Sequence, residues 1–274
     1  METKKKVTGI IQIYSRKARD QIFGIGAKYS RAAGLEFLTE DIFSCVDELI
    51  KNSVKANYKF LLIFDSITAA LQKKSPEKSM DQIREEVFEI IKDKDAYDSL
   101  AAEIISQEEI ADKVRLILNE EGKYLNIRNK TYDEHRDYTE EEKKTISSLR
   151  NFIQIRKELK ERNIKILLKI EGNRDYIYIE VTNTAPIMTH DLNRIYEKRD
   201  EYRHYRLEEK EHEFFINNID TSDSGFGLGY AKIDSFLSNM GLVPESSITI
   251  ISANNTTALL ALPLESLRKY HLKQ

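Results

Sequence analysis

Three of the ten glycines in this chain fall within five residues, at Gly225, Gly227 and Gly229, in the run Ser224-Gly225-Phe226-Gly227-Leu228-Gly229-Tyr230. Only glycine lets backbone approach another group with no Cβ in the way. The residues from Tyr230 to Met240 have helical spacing, so the run is expected to be a loop feeding a helix. Amides exposed at such a junction form an anion site, reinforced by the helix dipole. The run therefore predicts a phosphate held at a helix start.

A second polar pattern lies far upstream. A helix signal begins at Thr39, a candidate N-cap, with Ile42, Phe43, Val46, Leu49, Ile50 and Val54 at helical spacing. The helix is expected to reach residue 57, with the apolar stretch Phe60 to Leu71 continuing as helix. Glu48 and Asn52 are four residues apart and share one face, with Lys55 beside Asn52. An amide oxygen can ligate Mg²⁺, an ammonium can pair with phosphate, and a carboxylate can orient or deprotonate a nucleophile. The same stripe also suits the solvated face of an amphipathic helix. The glycine run alone is a weak nucleotide signal.

Residues 7–15 alternate loosely and predict a first strand. Between residues 72 and 160 there is one glycine, Gly122, and one proline, Pro76, among 21 acidic and 18 basic residues. Apolar residues recur there at the helical period, so the segment is expected to be a helical subdomain, with a polar loop over 122–138. Ile164 to Ile170 and Tyr176 to Val181 flank Gly172-Asn173-Arg174-Asp175 and predict a hairpin. Residues 187–223 are strongly charged and predict a mobile connection with short helices. A last hairpin is expected over 247–262, around Asn254-Asn255.

Bulk composition narrows the class. A formal net charge of −3 gives no electrostatic case for nucleic acid or an anionic membrane. Cys45, the single cysteine, cannot form an internal disulfide and suits a reducing, cytoplasmic compartment. No apolar h-region follows the basic start, and no apolar run reaches about 18 residues, so neither a signal peptide nor a transmembrane span is expected. An excised piece of a membrane receptor would have the same composition.

Taken together and in this order, the two motifs resemble those of the GHKL superfamily, which includes gyrase, Hsp90, histidine kinases and MutL. Glu48, Asn52, Ser53 and Lys55 resemble its N-box helix. Gly225, Gly227, Leu228 and Gly229 resemble its G2 box. The ending Ala261-Leu262-Pro263-Leu264 is similar to the family's terminal strand. The resemblance covers residues 36–60 and 163–265 and is closest to the histidine-kinase branch. It implies an α/β fold, an α+β two-layer sandwich of the Bergerat type. A mixed, mainly antiparallel sheet would be covered by helices, with a helical insertion between the N-box and the G1-like strand. Residues 1–71 and 161–274 would form the ATP-binding domain and 72–160 the insertion.

The chain departs from the family in three places. Asn183 stands where the G1 box normally has Asp, and no glycine follows it. An amide oxygen still accepts a hydrogen bond from an adenine amino group. Glu48 and Asn183 are 135 residues apart, longer than is usual between these boxes, and the insertion accounts for the excess. That insertion suits either a packing embellishment or a surface for dimerisation or partner docking. Of the five histidines, only His190-Asp191 superficially fits a phosphoacceptor, and it lies in the region corresponding to the lid.

The resemblance implies ATP or ADP with Mg²⁺. Asn52 would ligate the metal, Glu48 would act as base or water-orienter, and Lys55 would contact phosphate. Asn183 would face adenine, and the segment Ser224, Gly225, Phe226, Gly227, Leu228 and Gly229 would hold the phosphate oxygens. Lys198, Arg199, Arg203 or Arg206 of the lid would reach a γ-phosphate. The expected activity is a histidine or serine/threonine protein kinase or an ATPase in signalling. Its expected partner is a response regulator, a phosphoacceptor or a regulatory protein, and a homodimer is open. The alternative is a non-catalytic, nucleotide-gated interaction module. A strand-separating or repair ATPase is disfavoured by the absence of a transducer domain after residue 265.

Overall fold

The structure, a computed structural model, describes residues 5–218 and 228–271. It divides into two compact units. Met1–Val54, Lys165–Thr184 and Asn193–Gln274 form a sheet unit, and Lys55–Ile164 with Ala185–Leu192 form a helical unit.

Among the described residues, the sheet unit is organised on five strands: β1 (Lys5–Ile11), β2 (Ile166–Gly172), β3 (Tyr176–Asn183), β4 (Ile248–Ser252) and β5 (Thr256–Pro263). Their order is β1-β2-β3-β5-β4. Every pair is antiparallel, so the sheet is not the mixed one expected. Alternation along β3 buries Ile177, Ile179, Val181 and Asn183 and leaves Tyr178, Glu180 and Thr182 on the other face. In register, Ile170, Ile179, Leu260 and Ile248 form an apolar row across four strands. Burying each of these side chains contributes about 1.5 to 3 kcal/mol. The β2–β3 turn is closed by Asn173, whose Oδ1 accepts from the amides of Asp175 and Tyr176.

Among the described residues, seven α-helices contribute to this unit: α1 (Arg16–Ala33), the first part of α2 (Thr39–Lys74), most of α8 (Thr189–Leu207), α9 (Glu211–Asn218), α10 (Leu228–Asn239), α11 (Pro244–Ser247) and α12 (Leu264–His271). The sequence pattern leaves α1 unassigned. It starts on Ser15, whose Oγ accepts from Ala18 N, and ends on Gly34 at φ 73°. Thr39 is not an N-cap. A 3-10 turn, Glu36–Leu38, runs straight into α2, and Thr39 already has helical backbone angles. The charged segment after β3, expected to hold only short helices, contains the 19-residue α8 as well as the short α9.

The helical unit holds the rest of α2 with α3 (Met80–Lys92), α4 (Lys94–Ile104), α5 (Gln107–Asp133), α6 (Glu140–Ser148) and α7 (Arg150–Glu161). Ser79 with Gln82, and Thr139 with Glu142, form capping boxes that fix the starts of α3 and α6. Of the loop expected over 122–138, only 134–138 is non-helical, because α5 continues to Asp133. Buried Ile110, Val114, Ile117 and Thr131 hold this helix, and packing overrides the propensity penalty of Gly122. Glu121, on the same helix, is hydrogen-bonded to the buried Tyr58 of α2.

Candidate functional site

The candidate site is built on α2 between Asp47 and Ser53. Ile42, Val46, Leu49 and Ile50 are buried in the core, which anchors the helix and fixes the direction of the remaining face. Glu48 and Asn52 lie on that face and are half-buried.

The start of α10 meets them. A Cβ built on Gly229 would lie 2.4 Å from Asn52 Nδ2, 2.7 Å from Asn52 Oδ1 and 2.8 Å from Glu48 Oε1. These separations are shorter than any ordinary contact, so the two helices approach this closely only because residue 229 has no side chain. Asn52 Nδ2 is buried there without a hydrogen-bond partner. A buried donor left unmatched is destabilising by about 1 to 3 kcal/mol.

The third element is the end of β3. The strand's period-two alternation puts Asn183 on the same face as Ile179 and Val181. Its side chain is 4% exposed, and its Nδ2 donates to the Ser53 carbonyl at 3.4 Å. Glu48, Asn52, Gly229 and Asn183 thus gather around one turn and a half of α2. Leu228, the first residue of α10, packs on Tyr202, Phe214 and Ala231. Ser224, Gly225, Phe226 and Gly227 lie outside the described residues. Lys55 follows on α2 and belongs to the helical unit.

Sequence patterns did not reveal the role of Asp47. Its carboxylate accepts from Tyr14 Oη at 2.6 Å and Arg19 Nε at 3.0 Å, and pairs with Lys51 Nζ at 2.6 Å. Burial raises the pKa of this carboxyl, but the hydrogen bonds from Lys51 and Tyr14, with the charges of Lys51 and Arg19, outweigh it and hold the pKa below its ordinary value. Burial and the Asp47 carboxylate push the Tyr14 phenol well up. The network ties the turn before α1 to α2 beside Glu48. Its one sequence signal is an acid amid buried apolar positions with a lysine four residues on.

The four basic residues expected to reach a phosphate have protein partners. Lys198 binds Glu201 and Asn218, and Arg203 pairs with Asp200. Arg199 forms a two-bond fork on Asp234 of α10, at 2.8 and 2.9 Å. Arg206 donates to Ser238 and Glu245. In the helical unit, Asp191 pairs with the buried Lys59 at 2.7 Å, while the neighbouring His190 is exposed. Among the described residues, no three His, Cys, Asp or Glu side chains cluster to hold a metal, and no helix is long and apolar enough to cross a membrane.

The helical unit also contains an open groove of about 970 Å³ between α2, α3 and α7. Asp65, Glu158 and Arg162 line it, with Arg162 Nη2 2.7 Å from Asp65 and its guanidinium 4.0 Å above the Phe64 ring. Burial, and the Glu158 carboxyl beside it, push the Asp65 carboxyl up to about 7 despite Arg162.

Comparison of the chain with protein-family models, with curated proteins and with solved structures gives no match.

Proposed function

We propose that this chain binds ATP or ADP with Mg²⁺ as a GHKL-type, histidine-kinase-like domain, and transfers the γ-phosphoryl group of ATP to a protein partner or to water, leaving ADP. The observation that carries this reading is the contact of Gly229 with Asn52 and Glu48. The two motifs are 177 residues apart between Asn52 and Gly229, and the resemblance requires them to share one site.

The donor set suits the metal. Mg²⁺ takes oxygen ligands and keeps several waters, so it needs no dedicated cage of acids. Asn52 supplies an amide oxygen and Glu48 a carboxylate, side by side against Gly229. The unmatched Asn52 Nδ2 suits a phosphate oxygen as its acceptor. The metal would neutralise charge on the phosphates. Glu48 would orient or deprotonate the attacking hydroxyl or water. Asn183 would line the base side, with its amide braced on Ser53. The acceptor on a partner would be a histidine or a serine or threonine hydroxyl. A response regulator or other regulatory protein fits such a partner.

A second reading, a nucleotide-gated interaction module without catalysis, is favoured by one observation. Lys198, Arg199, Arg203 and Arg206 all pair within the protein, which argues against a cation held ready for a γ-phosphate. Steady-state ATP hydrolysis by the wild type, Glu48→Ala and Asn52→Ala separates the two. Loss of turnover in both variants supports the enzyme. Equal background rates in all three proteins, with nucleotide still bound by the wild type, support the module.

A further inference from the structure

The helix that meets Glu48 and Asn52 is held from its other side. Gly229 faces α2, whereas Asp234, five residues later, is turned about 140° around α10 and faces α8. The Arg199–Asp234 fork is the two-bond polar tie nearest the middle of α10, joining it to α8. Its side chains are only 12% and 5% exposed, and Arg199 Nη2 also reaches the Pro244 carbonyl at 3.4 Å. Apolar packing adds to it: Tyr202, Phe214, Phe215 and Leu228 surround Ala231, with the Tyr202 and Phe214 rings 5.3 Å apart. Further along α10, Arg206 of α8 donates to Ser238 at 3.0 Å.

A guanidinium fork fixes both distance and rotation between two helices, which a single point charge does not. At Gly229 the clearance to Asn52 is too small for one methyl group. A slide or rotation of α10 by an ångström therefore changes whether Asn52 and Glu48 are crowded or released.

We infer that Arg199 is a positioning residue: through Asp234 it sets where the first turn of α10 meets Asn52 and Glu48. This role replaces the phosphate contact expected of Arg199 from sequence. It rests on the nucleotide reading of the site only for its effect on affinity, because the helix position can be read without nucleotide.

The test uses Arg199→Lys, which keeps the charge and loses the fork, and Asp234→Asn, which keeps the acceptor's shape. Arg203→Lys is the control, since Arg203 pairs with Asp200 on its own helix. The first readout is the side-chain amide resonance of Asn52 in nucleotide-free protein, assigned by its loss in Asn52→Ala. The second is the Kd for Mg²⁺-ATP, and thermal unfolding checks that each variant is folded. Both fork variants shift the Asn52 resonance, and the Kd rises about tenfold, the loss of one charge-assisted hydrogen bond. Arg203→Lys leaves both unchanged. An Asn52 resonance unmoved in folded Arg199→Lys and Asp234→Asn, or moved equally by Arg203→Lys, overturns the positioning role. Shifted resonances in the two fork variants, together with a wild type that binds no nucleotide, uphold the positioning role and defeat the nucleotide reading instead.

Discussion

Asn52 Nδ2 would lie 2.4 Å from a Cβ on Gly229, so the polar face of α2 and the start of α10 touch where α10 has no side chain. Alanine is the better helix former by about 1 kcal/mol. Overpacking at a site this tight reverses the sign and destabilises by about 1 to 3 kcal/mol. Gly229→Ala is expected to lower the urea midpoint and to weaken Mg²⁺-ATP binding together. An unchanged midpoint with unchanged binding would mean that the helices do not approach this closely.

Helical glycines that face open space respond in the opposite sense. Nothing lies within 4 Å of a Cβ at Gly24 in α1 or Gly122 in α5. Alanine at either position should raise stability by about 1 kcal/mol. Gly241 is at φ 71°, and a Cβ there would meet the Tyr270 ring at 2.3 Å. Gly241→Ala should destabilise by about 2 kcal/mol or more. Chemical denaturation of the three variants checks the order.

Asp47 should make stability depend on acid. Its folded pKa is depressed, so its contribution is full above the unfolded carboxylate value of about 4 and is lost as pH falls through the folded value. Removing its charge with Asp47→Asn should destabilise at pH 7 by about 1 to 3 kcal/mol. The gap between wild type and variant should narrow on acidification below pH 4. A gap independent of pH would remove the ionised carboxylate from the account.

Asp65 has the reverse slope. Its folded carboxyl is raised to about 7, so the native state binds more protons than the unfolded chain between pH 4 and 7. Its share of stability is therefore present at low pH and lost as pH rises through 7. Asp65→Asn should gain on the wild type when urea midpoints at pH 5 and pH 8 are compared. Parallel changes in the two proteins would contradict the raised carboxyl.

The two hairpins and the core of α2 were legible because their apolar periods are simple. Asn183 was singled out through the resemblance to the G1 box, and the structure extends β3 far enough to bring it onto the strand's buried face. Other elements resist such reading for physical reasons. The sequence of α8 is polar nearly all round, and the helix is fastened by Arg199, Arg206 and Tyr202 rather than by an apolar stripe. In α1, only Ile22, Tyr29, Ser30 and Ala33 are buried, and Gly24 and Gly26 interrupt the pattern. Through Gly122 and the charged residues after it, α5 looks like loop until packing is counted. The gathering of Tyr14, Arg19 and Lys51 on Asp47 depends on chain crossings that no local spacing encodes. Glu48, Asn52 and Gly229 were found as two separate patterns, and their contact is a property of the fold.

Calorimetric titration of Mg²⁺-ATP, at millimolar nucleotide, into the wild type and Asn52→Ala decides whether the face of α2 beside Gly229 holds a nucleotide. Saturable, Mg²⁺-dependent binding to the wild type is expected, with at least about tenfold weaker binding to Asn52→Ala, the loss of about 1.4 kcal/mol. Absence of binding to the folded wild type, or equal affinity of the two proteins, would contradict the nucleotide reading.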